Sequence, residues 1–195
     1  IHIGSDVKRL NIPNSMFPNV EHVISEGNPI FESGSMLITN ERETGLKMRI
    51  LKNTFCKKPG DVIDLKGVEA IDKYAFEGCM SKNIINVHNL HNAWPNAFKG
   101  YPFALSDTYS DIDENGVCMV GNIVMKIDDN ADIVKIPLRT SVINSDIDFS
   151  GVKCLSVYLE QLERLMILSC VQSLNAQALM IQCSDEITSP YAVSN

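Results

Sequence analysis

The stretch VEAIDKYAFEGC, Val68–Cys79, decides the fold of this chain, because part of it comes back. AFEGC at Ala75–Cys79 returns as AFKGY at Ala97–Tyr101, a spacing of 22 residues, and a degraded copy, DFSGVKC, occupies Asp148–Cys154. A period of this size marks a repeat architecture: one unit cannot cover its own apolar face, so neighbouring units stack and share a core. Short aliphatic stretches accompany the copies. NIINVHNL (83–90) follows the first and CLSVYL (154–159) overlaps the third, with NVEHVIS (19–25) near the start and ALMIQC (178–183) near the end. Alternation along CLSVYL predicts that Val157 and Leu159 point inward and that Ser156 and Tyr158 face out.

A second repeat lies over the first. Residues 28–53 and 109–130 both place a glycine before an apolar strand, then a turn, then a second apolar strand. In the later copy Gly121-Asn122 separates VCMV from IVMKI, a two-residue hairpin signal. In the earlier copy NERETG (40–45) joins SMLIT to LKMRIL as a longer polar loop. Each hairpin leads into DVIDLKGVEAI (61–71) or ADIVKIPLRTSVI (131–143), so the order hairpin, strand, turn and Phe-x-Gly element occurs twice.

These residues resemble the BspA-type leucine-rich repeat, whose unit runs from an isoleucine-proline strand end through V-x-x-I and x-x-A-F-x-x-C to L-x-x-V. The match is Val62–Val87, where Val68, Ile71, Ala75, Phe76, Cys79, Ile84 and Val87 take the apolar positions. Gly27, Asn28, Pro29 and Phe31 match the G-N-P-x-F phrase that introduces extra strands in that family. HNAWPNAFKGYPF (91–103) lacks the V-x-x-I lead and has Tyr101 for cysteine, and the segment after Glu160 keeps the aliphatic rhythm without the signature.

The resemblance implies an α/β repeat fold: a right-handed leucine-rich-repeat solenoid with a curved parallel sheet, short helices or turns on the convex side, and inserted β-hairpins. It implies one solenoid domain over residues 1–195, a piece of a longer protein, secreted or displayed at the cell surface. The function it implies is non-catalytic extracellular recognition in adhesion, with a protein or glycan partner and no cofactor. Outward strand residues Asn86, His88, Ser156 and Tyr158 are the candidate ligand contacts. The alternatives are a repeat spacer that displays other domains, and a hydrolase whose carboxylates converge on folding.

Composition bounds these readings. The chain has 195 residues, 45% of them hydrophobic, enough for a core without disulfide staples. Acidic residues outnumber basic ones 24 to 17, a formal charge of -7, and no cationic run exceeds Lys57-Lys58. That argues against nucleic acid, whose phosphates need clustered positive charge. The uncharged run Leu165–Ser184 is long enough to cross a bilayer, but seven of its residues are polar, and it is expected to be a core segment rather than a membrane insertion. Six scattered cysteines, none in a C-x-x-C pair, sit in apolar settings and are expected to be buried thiols, with one or more disulfides as the alternative.

Chemistry-bearing motifs are few. DIDENG (111–116) imitates the start of a calcium loop, yet position twelve is Asn122 rather than glutamate, so the expectation is a turn leading into the hairpin. His88 and His91 have the spacing of a zinc half-site without an acidic or cysteine partner at motif distance, and no metal site is expected. Acidic residues in IDDNAD (127–132) and DIDFSG (146–151) suit solvated turns better than paired acid-base catalysis. No G-x-S-x-G elbow or glycine-rich phosphate loop is present, so no catalytic residue is expected. Trp94, the one tryptophan, fits local packing before Pro95, with an anchor on a binding surface as the alternative.

Overall fold

Two to five apolar residues held between Gly, Asp and Asn turns form only brief strands, which must find partners in a neighbouring coil. A computed structural model describes residues 1–10, 12, 17–43, 46–105, 111–160 and 176–183. Along the chain the strands are β1 (Leu37–Glu43), β2 (Leu46–Asn53), β3 (Ile63–Asp64), β4 (Ala70–Ile71), β5 (Ile84–Ile85) and β6 (Asn92–Ala93). After a four-residue helix, α1 (Pro102–Leu105), come β7 (Val117–Val120), β8 (Ile123–Ile127), β9 (Ile133–Lys135), β10 (Val142–Ile143), β11 (Cys154–Tyr158) and β12 (Leu179–Gln182). The described chain is a mostly-β solenoid of about five turns with parallel pairing between coils.

Register shows the stacking directly. Ile50 of β2 pairs with Ala70 of β4, and Ala70 with Asn92 of β6, while Ile63 of β3 pairs with Ile84 of β5, all in parallel. Later in the chain the wiring is repeated: β8 pairs with β10, and β9 with β11, which then takes β12. Both expected hairpins are present and antiparallel. Gly121 has φ +60, as the first central residue of a II′ hairpin turn requires, and the turn falls at Gly121-Asn122 as the sequence predicts. The first hairpin is longer than predicted. Residues 40–43 of its expected loop are strand, paired with 46–49.

Among the described residues the α part of the α/β expectation is nearly absent, because the connections are mainly the turns that the expectation also allowed. In the repeated motif Tyr74 and Gly78 have φ +61 and +72, and Asn96 and Gly100 have φ +64 and +77. Two left-handed residues close each turn too quickly for a helix. Nor do the described residues form one continuous sheet: their short strands pair locally, giving four sheets of two to four strands.

Stacked turns build the core. Phe76 lies 5.0 Å from Phe98 and 5.3 Å from Tyr101, ring centre to ring centre, and all three are buried. Tyr101, where the first copy has Cys79, donates its hydroxyl to the Ser81 carbonyl at 2.6 Å, which satisfies the one polar atom it carries inside. Adjacent coils are also joined by backbone bonds from Tyr74 and Phe76 N–H to the Asn96 and Ala97 carbonyls. This apolar cluster runs from Met36 to Val142, a second fills the later coils, and a third, around Val23, Phe31, Leu37 and Phe55, fastens the N-terminal segment.

Three local expectations are corrected. Ser156 is 2% exposed, because β11 is flanked by β9 and β12 and covered on both faces, which removes the period-two alternation. Leu159 is 48% exposed because it lies past the end of β11. Of the Leu165–Ser184 run only 176–183 is described; Ala176 packs against the second core cluster, but β12 leaves Leu179, Met180 and Ile181 exposed where core was expected. No helix among the described residues is long and apolar enough to cross a membrane. Cys79 and Cys118 are buried thiols with pKa pushed up by burial, whereas Cys56 and Cys154 are half-buried and Cys183 is exposed. Cys170 lies outside the described residues.

Candidate functional site

The four candidate contacts do not converge. Asn86, left-handed at φ 58, follows β5 and donates its amide to Asp64 at 2.8 Å, a bond that holds the Asp64 carboxyl below its ordinary pKa. His88 is exposed in the 3-10 turn that follows. Ser156 is buried and Tyr158 half-buried, both on β11 in a different sheet. Trp94 is half-buried, with its backbone N–H on the Ile71 carbonyl.

Most acidic turn motifs use their carboxylates locally. Asp113 accepts from the backbone of Asn115 and Val117 at 2.9 and 3.2 Å, fixing the turn into β7. Asp128 and Asp148 accept from the backbone N–H two residues on, and Asp111 pairs with Lys82 at 3.4 Å. His91 hydrogen-bonds the Asn89 carbonyl instead of facing His88 as a ligand pair. Among the described residues no cluster of His, Cys, Asp or Glu is arranged to hold a metal.

What the fold does assemble is a cleft of about 1440 Å³ between the N-terminal segment, the first hairpin and the repeated turns. Asn28 shapes one wall. Its side-chain NH₂ donates to the carbonyls of Gly4 and Val7 at 2.8 and 2.9 Å, and its oxygen accepts from Ile30 and Phe31 N–H at 2.8 and 3.1 Å. Residues 30–32 in turn bond the outer edge of β1, through Asn40 N–H to the Ile30 carbonyl and Glu32 N–H to the Ile38 carbonyl. Glu32 is gripped by both Arg49 Nε and a terminal Arg49 nitrogen at 2.8 and 2.6 Å, and it accepts from Asn40 at 2.8 Å.

Leu10, Ile12, Ile30, Phe31 and Leu37 give this cleft an apolar lining, and Lys8, Arg9, Lys47, Lys52, Lys73 and Lys99 surround it. Against these six cations stand Glu41, Asp72 and Glu77. Lys52 lies 2.8 Å from both Glu41 and Asp72; burial pulls its pKa down, but the two carboxylates outweigh burial and hold it raised. Since the whole chain carries -7 and the cleft lining +3, everything outside the cleft sums to -10. The sequence contains no cationic run longer than a pair, yet the fold makes a cationic cluster, because its members come from several separate stretches of chain.

Tyr74 stands at the same cleft. It holds φ +61, a conformation that costs an aromatic residue of order 1–3 kcal/mol, and its side chain is 41% exposed, with Lys99 Nζ 5.7 Å from the ring centre. In the next coil the equivalent residue is Asn96, which tolerates this conformation far better. Core packing therefore gives a poor account of the tyrosine.

Fold and cleft together define a β-solenoid repeat protein with an open cationic cleft at its N-terminal end. No family model, curated protein or solved structure matches the chain.

Proposed function

We propose that this chain is a non-catalytic recognition module, a right-handed solenoid of the BspA-like leucine-rich-repeat type, secreted or displayed at the cell surface and binding a protein or glycan partner in adhesion. The observation that carries the reading is the cleft, where six cations and an apolar lining gather on a protein that is acidic elsewhere. Concave, mostly pre-formed sites with convergent polar groups are the usual form of a binding site. The type, handedness and location rest on the resemblance of Val62–Val87, and binding is the customary use of a repeat scaffold.

The test is a screen of the immobilised protein against extracellular proteins and glycans, repeated with Lys73→Glu. Binders captured by the native protein and lost with the variant support the reading; binders that ignore the variant refute the cleft as the contact. Alanine at Asn86, His88 and Tyr158, in the same assay, asks whether the strand-end surface shares the work.

A further inference from the structure

We infer that the occupant of the cleft is an acidic peptide segment of a partner protein, one that also carries apolar side chains. This deepens the recognition reading and rests on it. Four observations lead to the peptide. First, charge: among the described residues no carboxylate pairs with Lys8, Arg9, Lys73 or Lys99, so these cations are available to an anionic guest, whereas Lys52 is already held by Glu41 and Asp72. Second, the lining: half-buried Leu10, Ile12 and Ile30 line the same cleft as the cations, and an occupant that satisfies both must place carboxylates beside apolar groups. A peptide of alternating acidic and apolar residues does this, since successive side chains of an extended strand point to opposite faces. A sulfated glycan supplies the charge without the apolar groups.

Third, size: about 1440 Å³ exceeds the roughly 300–1,000 Å³ of a pocket for a drug-sized ligand and suits a segment of several residues. A long polyanion would fare worse, because outside the cleft the chain's remaining charges sum to -10. Fourth, Tyr74 is held in a strained conformation with its ring partly in solvent beside Lys99. Strained, exposed aromatics belong to contact surfaces, where tyrosine is a rigid anchor for an apolar side chain.

Fluorescence anisotropy on the full chain tests this with a labelled peptide of about ten residues alternating glutamate with leucine. Comparators are the same peptide with lysine for glutamate, with serine for leucine, and a sulfated oligosaccharide of matched charge. The glutamate–leucine peptide is expected to bind, and both altered peptides to bind roughly tenfold more weakly or worse. Lys73→Glu with Lys99→Glu should weaken it by a similar factor, as should raising salt toward about 1 M, where the screening length falls to roughly 3 Å. Tyr74→Asn places in this coil the residue that the next coil uses, so binding should fall several-fold while Tm stays level or rises.

If the oligosaccharide binds in a lysine-dependent way and the peptide does not, the peptide assignment is overturned and recognition through the cleft stands. Absence of any binding that responds to the lysine variants overturns both. Loss of binding together with a lower Tm in Tyr74→Asn overturns the contact role of Tyr74.

Discussion

Residues 28–101 and 117–158 are wired alike and finished differently. In each, a hairpin's second strand pairs in parallel with the strand two places on, and the strand between pairs with the next coil. The first half, however, is filled by interlocking rings, Phe76, Phe98 and Tyr101, while the second is largely aliphatic, with Phe149 its one buried aromatic. The hairpins also meet different neighbours. β1 takes the Asn28-organised segment along its edge and the cleft forms beside it, whereas the turn of the second hairpin abuts the first half, where a Cβ on Gly121 would sit 3.1 Å from the Ile84 carbonyl oxygen. Repetition specifies a scaffold, and whatever packs against each hairpin decides whether that scaffold acquires a site.

The largest expected effect separates the two fillings. Phe76→Ala should cost roughly 3–5 kcal/mol in urea unfolding, since it opens a cavity and breaks two ring contacts, each worth about 0.5–1.5 kcal/mol beyond burial. Phe149→Ala lies at the lower end of the same range, because no aromatic stacks on it among the described residues. Equal losses would show that the rings contribute only their area.

Next comes the wall of the cleft. Asn28→Ala removes five hydrogen bonds that join two stretches of backbone, with a cost of about 1–3 kcal/mol. Amide exchange should quicken at Val7, Ile30 and Phe31 and stay slow at Ile71 and Val142; uniform quickening would mean that the N-terminal segment is part of the main cooperative unit. Tyr101→Phe is smaller, about 1 kcal/mol by thermal melting, because it leaves the Ser81 carbonyl without that donor. A neutral result would imply that the carbonyl finds another partner.

Much of this scaffold was legible in the chain. AFEGC and AFKGY, 22 residues apart, marked the stacked turns and the burial of Phe76 and Cys79, since a periodic apolar set has only one way to be covered. Gly121-Asn122 placed β7 and β8 to the residue, because turn chemistry is local. Ser156 was misplaced because alternation presumes one wet face, and β11 has neither face free. The cleft was invisible for a different reason. Its cations stand at positions 8, 9, 47, 52, 73 and 99, so their convergence depends on which coils stack, while a run-based search sees only two-residue pairs such as Lys8-Arg9 and Lys57-Lys58. One signal was present all the same: aligning the two copies sets Tyr74 against Asn96 just before Ala-Phe, and a bulky aromatic at a left-handed position marks a residue kept for something other than the repeat.

Acid sharpens the comparison by the smallest amount. In the first half, the hydrogen bonds from Arg49 outweigh the opposing effect of burial, and with help from Asn40 they hold the Glu32 carboxyl below its ordinary 4.5. A carboxyl lowered in the folded state makes the unfolded chain the better proton acceptor, so its contribution is complete above about pH 4.5 and disappears as pH falls through the lower folded value. Because the pair is nearly a third exposed, that contribution is about 0.5–1 kcal/mol. The nearest counterpart in the second half, Lys153 with Asp132, is open to solvent on both sides and gives acid nothing comparable to remove. Glu32→Gln should therefore flatten the part of the acid limb that the Arg49 pair creates, and Asp132→Asn should leave the limb unchanged. The reverse result, in a urea series from pH 3 to pH 6, would move the acid-sensitive contact out of the cleft-bearing half.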